Sequence, residues 1–371
     1  MAEPLIVHVT SRSSWRQCRR KYWFAEVAKL VPLAPKFPLI FGTAFHEGIA
    51  AFYQHVRDVS ATQCVSTSAA AKGEERSRRV CTDAFVLAVQ TALQSWDQAV
   101  KDVTPSEKTK ESRELLAHCV SVYTAYCTDN DDFLVLGVEQ PIEVDIQLTR
   151  TKVVRLRGTM DLFTTRDPLG KFWVVDHKTA GTMRDVTTLQ FDDQMTTYLW
   201  MLAQVFGACE VGGAIYSQVH KHLPRPPAVL KNGELSRAIK TTGVTYSSYL
   251  EALDAHGLDK SEYADVLQEL RATDQPVVRN YIFCSQTRLR EFGEQLRQEL
   301  IDLTSKPPHY YPNPSWDCGW SCDYCSPCET LMEGGDLDVA TRFLYEHRDW
   351  RAERHRNSQA ASIRGKYKCS R

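Results

Sequence analysis

Several things are missing from this chain of 371 residues, and each absence removes a class of function. There is no Gly-x4-Gly-Lys-Ser/Thr stretch, so the phosphate loop of an ATP-driven motor is excluded and the chain must act alone or borrow a motor. There is no Gly-x-Ser-x-Gly, hence no serine nucleophile elbow. No apolar run approaches a membrane span, and Met1 to Thr10 is too short and too mixed for the apolar stretch of a secretory signal. Cytoplasmic residence without a membrane partner is the expectation. A net charge of -1 gives no overall pull toward polyanions, and no internal repeat is evident.

Cysteine, by contrast, is plentiful. Twelve of them without a secretory signal point to a reducing compartment and metal use rather than a disulfide framework. Cys318, Cys322, Cys325 and Cys328 crowd into one short stretch. Thiolates at such spacing bind zinc or an iron-sulfur cluster, and spacing alone does not choose between them.

The most informative text is Gly158-Thr159-Met160-Asp161, followed after a turn at Asp167-Pro168-Leu169-Gly170 by Val174-Val175-Asp176-His177-Lys178. It predicts two apolar strands joined as a hairpin. Phosphodiester hydrolysis requires a hard cation that polarises phosphate and activates water, and Mg2+ or Mn2+ prefers carboxylate and carbonyl oxygens. Asp161 and Asp176 supply carboxylates, and the His177 carbonyl can add a third oxygen. Side-chain alternation puts Asp176 and Lys178 on one face, where an ammonium stabilises developing negative charge. A surface salt-bridged hairpin is the competing interpretation. Upstream, Phe45, Ile49, Phe52 and Val56 recur at helical spacing, and His46 borders that stripe as an imidazole suited to Mn2+ or as a buried structural residue. Downstream, Gln194 and Tyr198 share a helical face that serves either phosphate and the metal's surroundings or ordinary packing.

Taken in order, a helix histidine (His46), a Gly-x-x-Asp (Gly158 to Asp161), an Asp-x-Lys strand (Asp176, Lys178) and Gln-x-x-x-Tyr (Gln194, Tyr198) resemble the RecB-type, CRISPR-exonuclease-like branch of the PD-(D/E)xK nucleases. The resemblance implies a restriction-endonuclease-like α/β fold with a mixed sheet flanked by helices. It implies His46, Asp161, Asp176 and the His177 carbonyl on Mg2+ or Mn2+, Lys178 as catalytic lysine, and Gln194 with Tyr198 as support on the substrate side. A further acid on the entering strand is expected, with Glu139 the best candidate and Glu143 and Asp145 competing. It also implies a [4Fe-4S] cluster on Cys18, Cys318, Cys322 and Cys328, of the phage-encoded type, with Cys325 spare and zinc as the alternative. The expected activity is a metal-dependent deoxyribonuclease, an exonuclease working on single-stranded DNA or duplex ends in recombination, replication or processing in a bacterial cytoplasm, with a recombination protein or helicase as partner. The rival is a non-catalytic nucleic-acid-binding adaptor on the same fold, stapled by zinc or iron-sulfur; RNA as substrate is a third possibility.

The expected organisation is an N-terminal segment with the first cluster cysteine (1-41), a helical region with the histidine (42-130), the nuclease core (131-220) and an insertion shaping the substrate path (221-285). A C-terminal helix, cysteine cluster and closing helix with Val339, Phe343 and Trp350 inward (286-357) and a flexible basic tail (358-371) complete it. Arg12, Arg16, Arg19, Arg20 and Lys21, interleaved with Trp15, Tyr22 and Trp23, form either a strip for single-stranded nucleic acid or an amphipathic helix with core aromatics.

Overall fold

The computed structural model describes residues 4–34, 36–63, 73–166, 170–239, 243–305 and 309–348. Asp167-Pro168-Leu169 of the hairpin turn, the stretch after Arg348 that includes Trp350, and the basic tail lie outside the described residues. A short strand β1 (Leu5–His8) leads into α1 (Val9–Gln17), the single turn α2 (Arg19–Tyr22) and β2 (Leu30–Pro32). Three long helices follow, α3 (Phe37–Gln63), α4 (Gly73–Ala99) and α5 (Glu107–Asn130). Strands β3 (Phe133–Gln147), β4 (Val153–Arg166) and β5 (Lys171–Ala180) then run consecutively. Helices α6 (Val186–Leu189) and α7 (Asp193–Phe206) carry the chain to β6 (Val211–His220). After α8 (Tyr246–His256), α9 (Ala264–Thr273), β7 (Val277–Ile282) and α10 (Gln286–Leu303), the chain ends in α11 (Cys325–Met332), α12 (Leu337–Thr341) and β8 (Tyr345–His347).

Local chemistry accounts for these boundaries. Between α4 and α5 lies Thr104-Pro105-Ser106, and Ser106 opens α5 with a reciprocal cap: its side chain accepts from the Thr109 amide while the Thr109 side chain accepts from the Ser106 amide. Asp192 caps α7 by accepting from the Met195 amide. In α3, Phe41, Phe45, Ile49 and Phe52 are buried at helical spacing, which fixes its inward face.

The main sheet is mixed and runs β1-β4-β5-β6-β7, with β3 on the other edge of β4. β1 lies parallel to β4, β5 parallel to β6, and β3-β4, β4-β5 and β6-β7 are antiparallel. One face packs on α1, α7 and α10 through residues such as Val174, Phe163, Leu199 and Leu296. The opposite face packs on α3, α4 and α5 through Val175, Leu162, Phe45, Trp96 and Val120. A separate apolar cluster built on Tyr249, Leu253, Tyr263 and Leu270 holds α8 and α9 together. No described helix is long and apolar enough to cross a membrane.

Three expectations need correcting. The pattern up to residue 30 predicts one helix carrying Cys18, whereas Leu5–His8 are a sheet strand and Cys18 sits in extended backbone between two helices. β7 belongs to the main sheet although its text falls within the stretch expected to be an insertion. The closing helix is only α12, with Val339 64% and Phe343 80% exposed rather than inward, because β8 turns back to pair with β2.

The basic strip also resolves. Arg12 is fully buried, donating to Asp193 at 2.8 and 3.1 Å, to Glu299 at 2.8 Å and to Thr197 at 3.0 Å. Arg16 pairs with Asp193 and Glu299, and Arg19 pairs with Asp302 while stacking over Trp15 at 4.9 Å. Trp15 is core. The segment is the amphipathic alternative, two short helices with Trp15 in the core and Arg12, Arg16 and Arg19 bound to α7 and α10.

Candidate metal centre at the fork of the sheet

β4 has two successive partners on one edge. Its residues 154–157 pair with β1, and its residues 162–166 pair with β5. Between them, Gly158 to Asp161 are left without a strand on that side, and the edge of β5 beyond Val175 is left open as well. At this fork the His177 amide donates to Asp161 Oδ2 at 2.7 Å in place of a ladder bond. Gly158 is required by close approach: a β-carbon there would stand 2.7 Å from Tyr198 Cε1. Tyr198 is itself buried and donates to the Thr159 carbonyl at 2.6 Å. The Gly-x-x-Asp and Gln-x-x-x-Tyr texts are thus one packing unit, in which Tyr198 holds the strand at Gly158 and Thr159.

On the far edge, the β3-β4 ladder shifts register between Val135 and Gly137, and Glu139 then stands opposite Asp161, between the pairs Val138–Leu162 and Gln140–Met160, without a ladder pairing of its own. Glu139 has φ +45°, a left-handed conformation that costs a non-glycine residue about 1–2 kcal/mol. Such local irregularity re-aims side chains. It brings Glu139 to Asp161, and His46 arrives from α3 with Nδ1 3.4 Å from Asp161 Oδ2. One ligand atom each from His46, Glu139 and Asp161 lie within 4.8 Å of one another, the only such group among the described residues. Two carboxylates and one imidazole are a donor set that fits a divalent cation taking oxygen and borderline nitrogen ligands. The competing acids are engaged elsewhere: Glu143 pairs with Arg157, and Asp145 with Arg155 at 2.6 Å.

Asp176 is 2% exposed and faces α7. Its Oδ1 accepts from Lys178 Nζ at 3.0 Å and from Gln194 Nε2 at 3.2 Å. Its Oδ2 lies 2.8 Å from the same Lys178 Nζ, so the ammonium faces both carboxylate oxygens in a buried ion pair. The His177 ring points to the opposite face, where it meets the Tyr123 hydroxyl at 2.5 Å and stacks on Tyr53 at 5.6 Å.

Burial pushes Asp161 up, but the hydrogen bond and charge of His46 outweigh it and hold the carboxyl at about 2. Burial pulls His46 down, yet Asp161 prevails and leaves it above its ordinary value. Burial and the Asp161 charge together lift Glu139 to about 7. Burial also lifts Asp176 to about 6, exceeding the opposing pull of Lys178. Lys178 stays protonated because Asp176 outweighs its own desolvation, and burial drives His177 down to about 3, neutral at physiological pH.

Two expected results follow. Glu139 titrates at about 7 and His46 above its ordinary value, and a bound cation competes with both protons, so Mn2+ affinity falls as pH drops from 8 to 6, by roughly tenfold across that window for Glu139 alone and further as His46 takes up its proton. Calorimetric titration at several pH values checks this; a pH-independent affinity contradicts it. Glu139→Gly removes a ligand but relieves the left-handed backbone, so metal binding weakens while the melting temperature holds or rises. A variant that melts earlier yet binds metal normally contradicts both halves.

Cys18, Cys318, Cys322, Cys325 and Cys328 line one cavity, yet among the described residues no three cysteine sulfurs gather within 4.8 Å. The thiols are engaged singly. The Asn313 amide donates to Cys18 Sγ and the Ser315 amide to Cys318 Sγ, each at 3.4 Å, and Cys325 donates to Glu329 at 3.6 Å. Burial raises the pKa of Cys322 and Cys328, favouring neutral thiols. The subdomain is joined by apolar packing instead: Phe24 stacks on Tyr324 at 5.2 Å, and the Tyr324 hydroxyl donates to the Leu30 carbonyl at 2.8 Å. The expected [4Fe-4S] cluster, its zinc alternative and an iron-sulfur subdomain are therefore corrected: the metal-ligand group lies at the sheet fork.

The sequence pattern of the PD-(D/E)XK nuclease superfamily matches residues 9–329. No curated protein matches the chain. A solved structure titled "Crystal structure of SSO0001" aligns at 12% identity over 62% of this chain and 91% of that one, with a TM-score of 0.28, a likeness too slight to carry an argument. The match is to the superfamily, and with the cysteine cluster gone the RecB-type, CRISPR-exonuclease-like, phage-encoded assignment loses its support. Gathered on a mixed sheet flanked by helices, the candidate metal group of His46, Glu139 and Asp161 accompanies a sequence match over most of the chain, and the protein belongs to the PD-(D/E)XK nuclease superfamily.

Proposed function

We propose that the protein is a Mg2+- or Mn2+-dependent deoxyribonuclease that trims DNA from ends, single-stranded or duplex, in recombination, replication or repair-type processing, supplied with substrate by a separate motor or recombination protein. The observation that carries this reading is the convergence of His46, Glu139 and Asp161 within 4.8 Å beside the Asp176–Lys178 pair. His46, Glu139 and Asp161 would hold a divalent ion, whose chemistry there would be to polarise the scissile phosphate and to lower the pKa of a water. The chain's own residues do the rest. Lys178, kept cationic by Asp176, stands where negative charge grows on the phosphate oxygens. Gln194 holds Asp176 from α7, and the His177 amide fixes Asp161. Neutral His177, locked between Tyr123 and Tyr53, anchors β5 so that its backbone carbonyl faces the fork as a further oxygen donor.

The rival reading, a binding adaptor on a nuclease fold, shares the surface but not the turnover. Incubation of the full chain with end-labelled single-stranded DNA, duplex DNA and RNA, with Mn2+ and with EDTA, separates them. The expected result is Mn2+-dependent release of short products from DNA; binding without cleavage under every metal condition favours the adaptor, and cleavage of RNA alone reassigns the substrate.

A further inference from the structure

We propose that Arg184 and Phe191, on the segment between β5 and α7, form a nucleotide contact beside the metal centre, Arg184 taking a phosphate and Phe191 a stacked base of a single DNA strand. This rests on the nuclease reading above and names residues that it leaves unused.

The segment is built to present Arg184. Gln218, 1% exposed on β6 and in register with Lys178, grips the Arg184 backbone from both sides: its Oε1 accepts from the Arg184 amide and its Nε2 donates to the Arg184 carbonyl, each at 2.9 Å. The guanidinium lies over Tyr216, in register with Asp176, at 5.6 Å from the ring centre. Only Nη1 is engaged, with Asp192 at 3.0 Å and the Tyr216 hydroxyl at 3.3 Å. Nε and Nη2 meet no partner among the described residues, and the side chain is 41% exposed. A planar cation with an open edge suits phosphate oxygens. Asp192, which holds Arg184, also caps α7, whose Gln194 reaches Asp176, so the contact and the catalytic edge share one frame. Phe191, next to Asp192, is 82% exposed, an arrangement with no packing benefit but suited to stacking under an unpaired base.

The test uses the full chain, a fluorescent single-stranded oligonucleotide and Mn2+ for turnover, with binding measured in EDTA across a salt series. Arg184→Ala is expected to raise KM roughly tenfold with kcat little changed, and to lower the slope of log affinity against log salt by about 0.7, the loss of one phosphate contact on a single strand. Arg184→Lys restores the slope. Phe191→Ala weakens single-strand binding roughly 5- to 100-fold, and Phe191→Trp recovers it. A wild-type chain that cleaves DNA while both alanine variants keep its KM and salt slope overturns this inference and leaves the nuclease reading standing. A wild-type chain that neither binds nor cleaves DNA overturns both.

Discussion

Asp161→Asn is expected to cut Mn2+-dependent DNA cleavage by at least about 10²–10³-fold while leaving the melting temperature close to wild type. The carboxylate has two partners, the His46 imidazole at 3.4 Å and the His177 amide at 2.7 Å, and it shares the candidate metal-ligand group with His46 and Glu139. An amide oxygen still accepts from the His177 backbone, so the fork stays closed. What vanishes is the charge. Without it, His46 loses the interaction that raises its pKa, Glu139 loses the neighbour that helps push it to about 7, and a cation loses an anionic ligand. Losing the charge forfeits the pairing with His46 that holds Asp161 low, and relief of the like-charge crowding on Glu139 and Asp176 offsets that loss. Initial rates together with thermal melts check the result; cleavage within about twofold of wild type would place the chemistry elsewhere.

Arg12→Met carries the largest expected stability loss, about 3–5 kcal/mol in denaturant unfolding. Arg12 is fully buried, with its guanidinium divided among Asp193, Glu299 and Thr197 and lying 5.3 Å from the Phe292 ring centre. It ties α1 to α7 and α10. Removing it leaves two partly buried carboxylates with only Arg16, which is 37% exposed, to compensate. Because α7 also carries Gln194, activity falls along with stability. If Arg12 instead belonged to a nucleic-acid strip, the variant would keep its stability and lose DNA affinity, and that outcome would contradict the burial argument.

The parts of this site legible in sequence are those governed by strand periodicity. Asp176 and Lys178 share a face and His177 takes the other because side chains alternate along β5, and the hairpin with β4 follows from two apolar runs. Glu139 was the best of three candidate acids but not strongly marked, since nothing in the local text announces its φ of +45°. Glu143 and Asp145 were removed by arginines on the adjacent strand, a cross-strand matter of register. The pairing of four-residue β1 with β4 is parallel and long-range, which local pattern does not encode, yet it creates the fork. Cysteine spacing misled for a related reason: it limits distance along the chain but not the direction of each thiol. Tyr198 was legible as a partner of Gln194, while its second neighbour, the bare α-carbon of Gly158, emerges only when α7 crosses β4.

The central claim is that His46, Glu139 and Asp161 hold one cation in common. Titration of Mn2+ into the metal-free full chain, followed by calorimetry, tests it most directly when repeated on Glu139→Gln at unchanged pH. A saturable site in the wild type that is lost or strongly weakened in the variant is the predicted result; equal affinity in both proteins would contradict it.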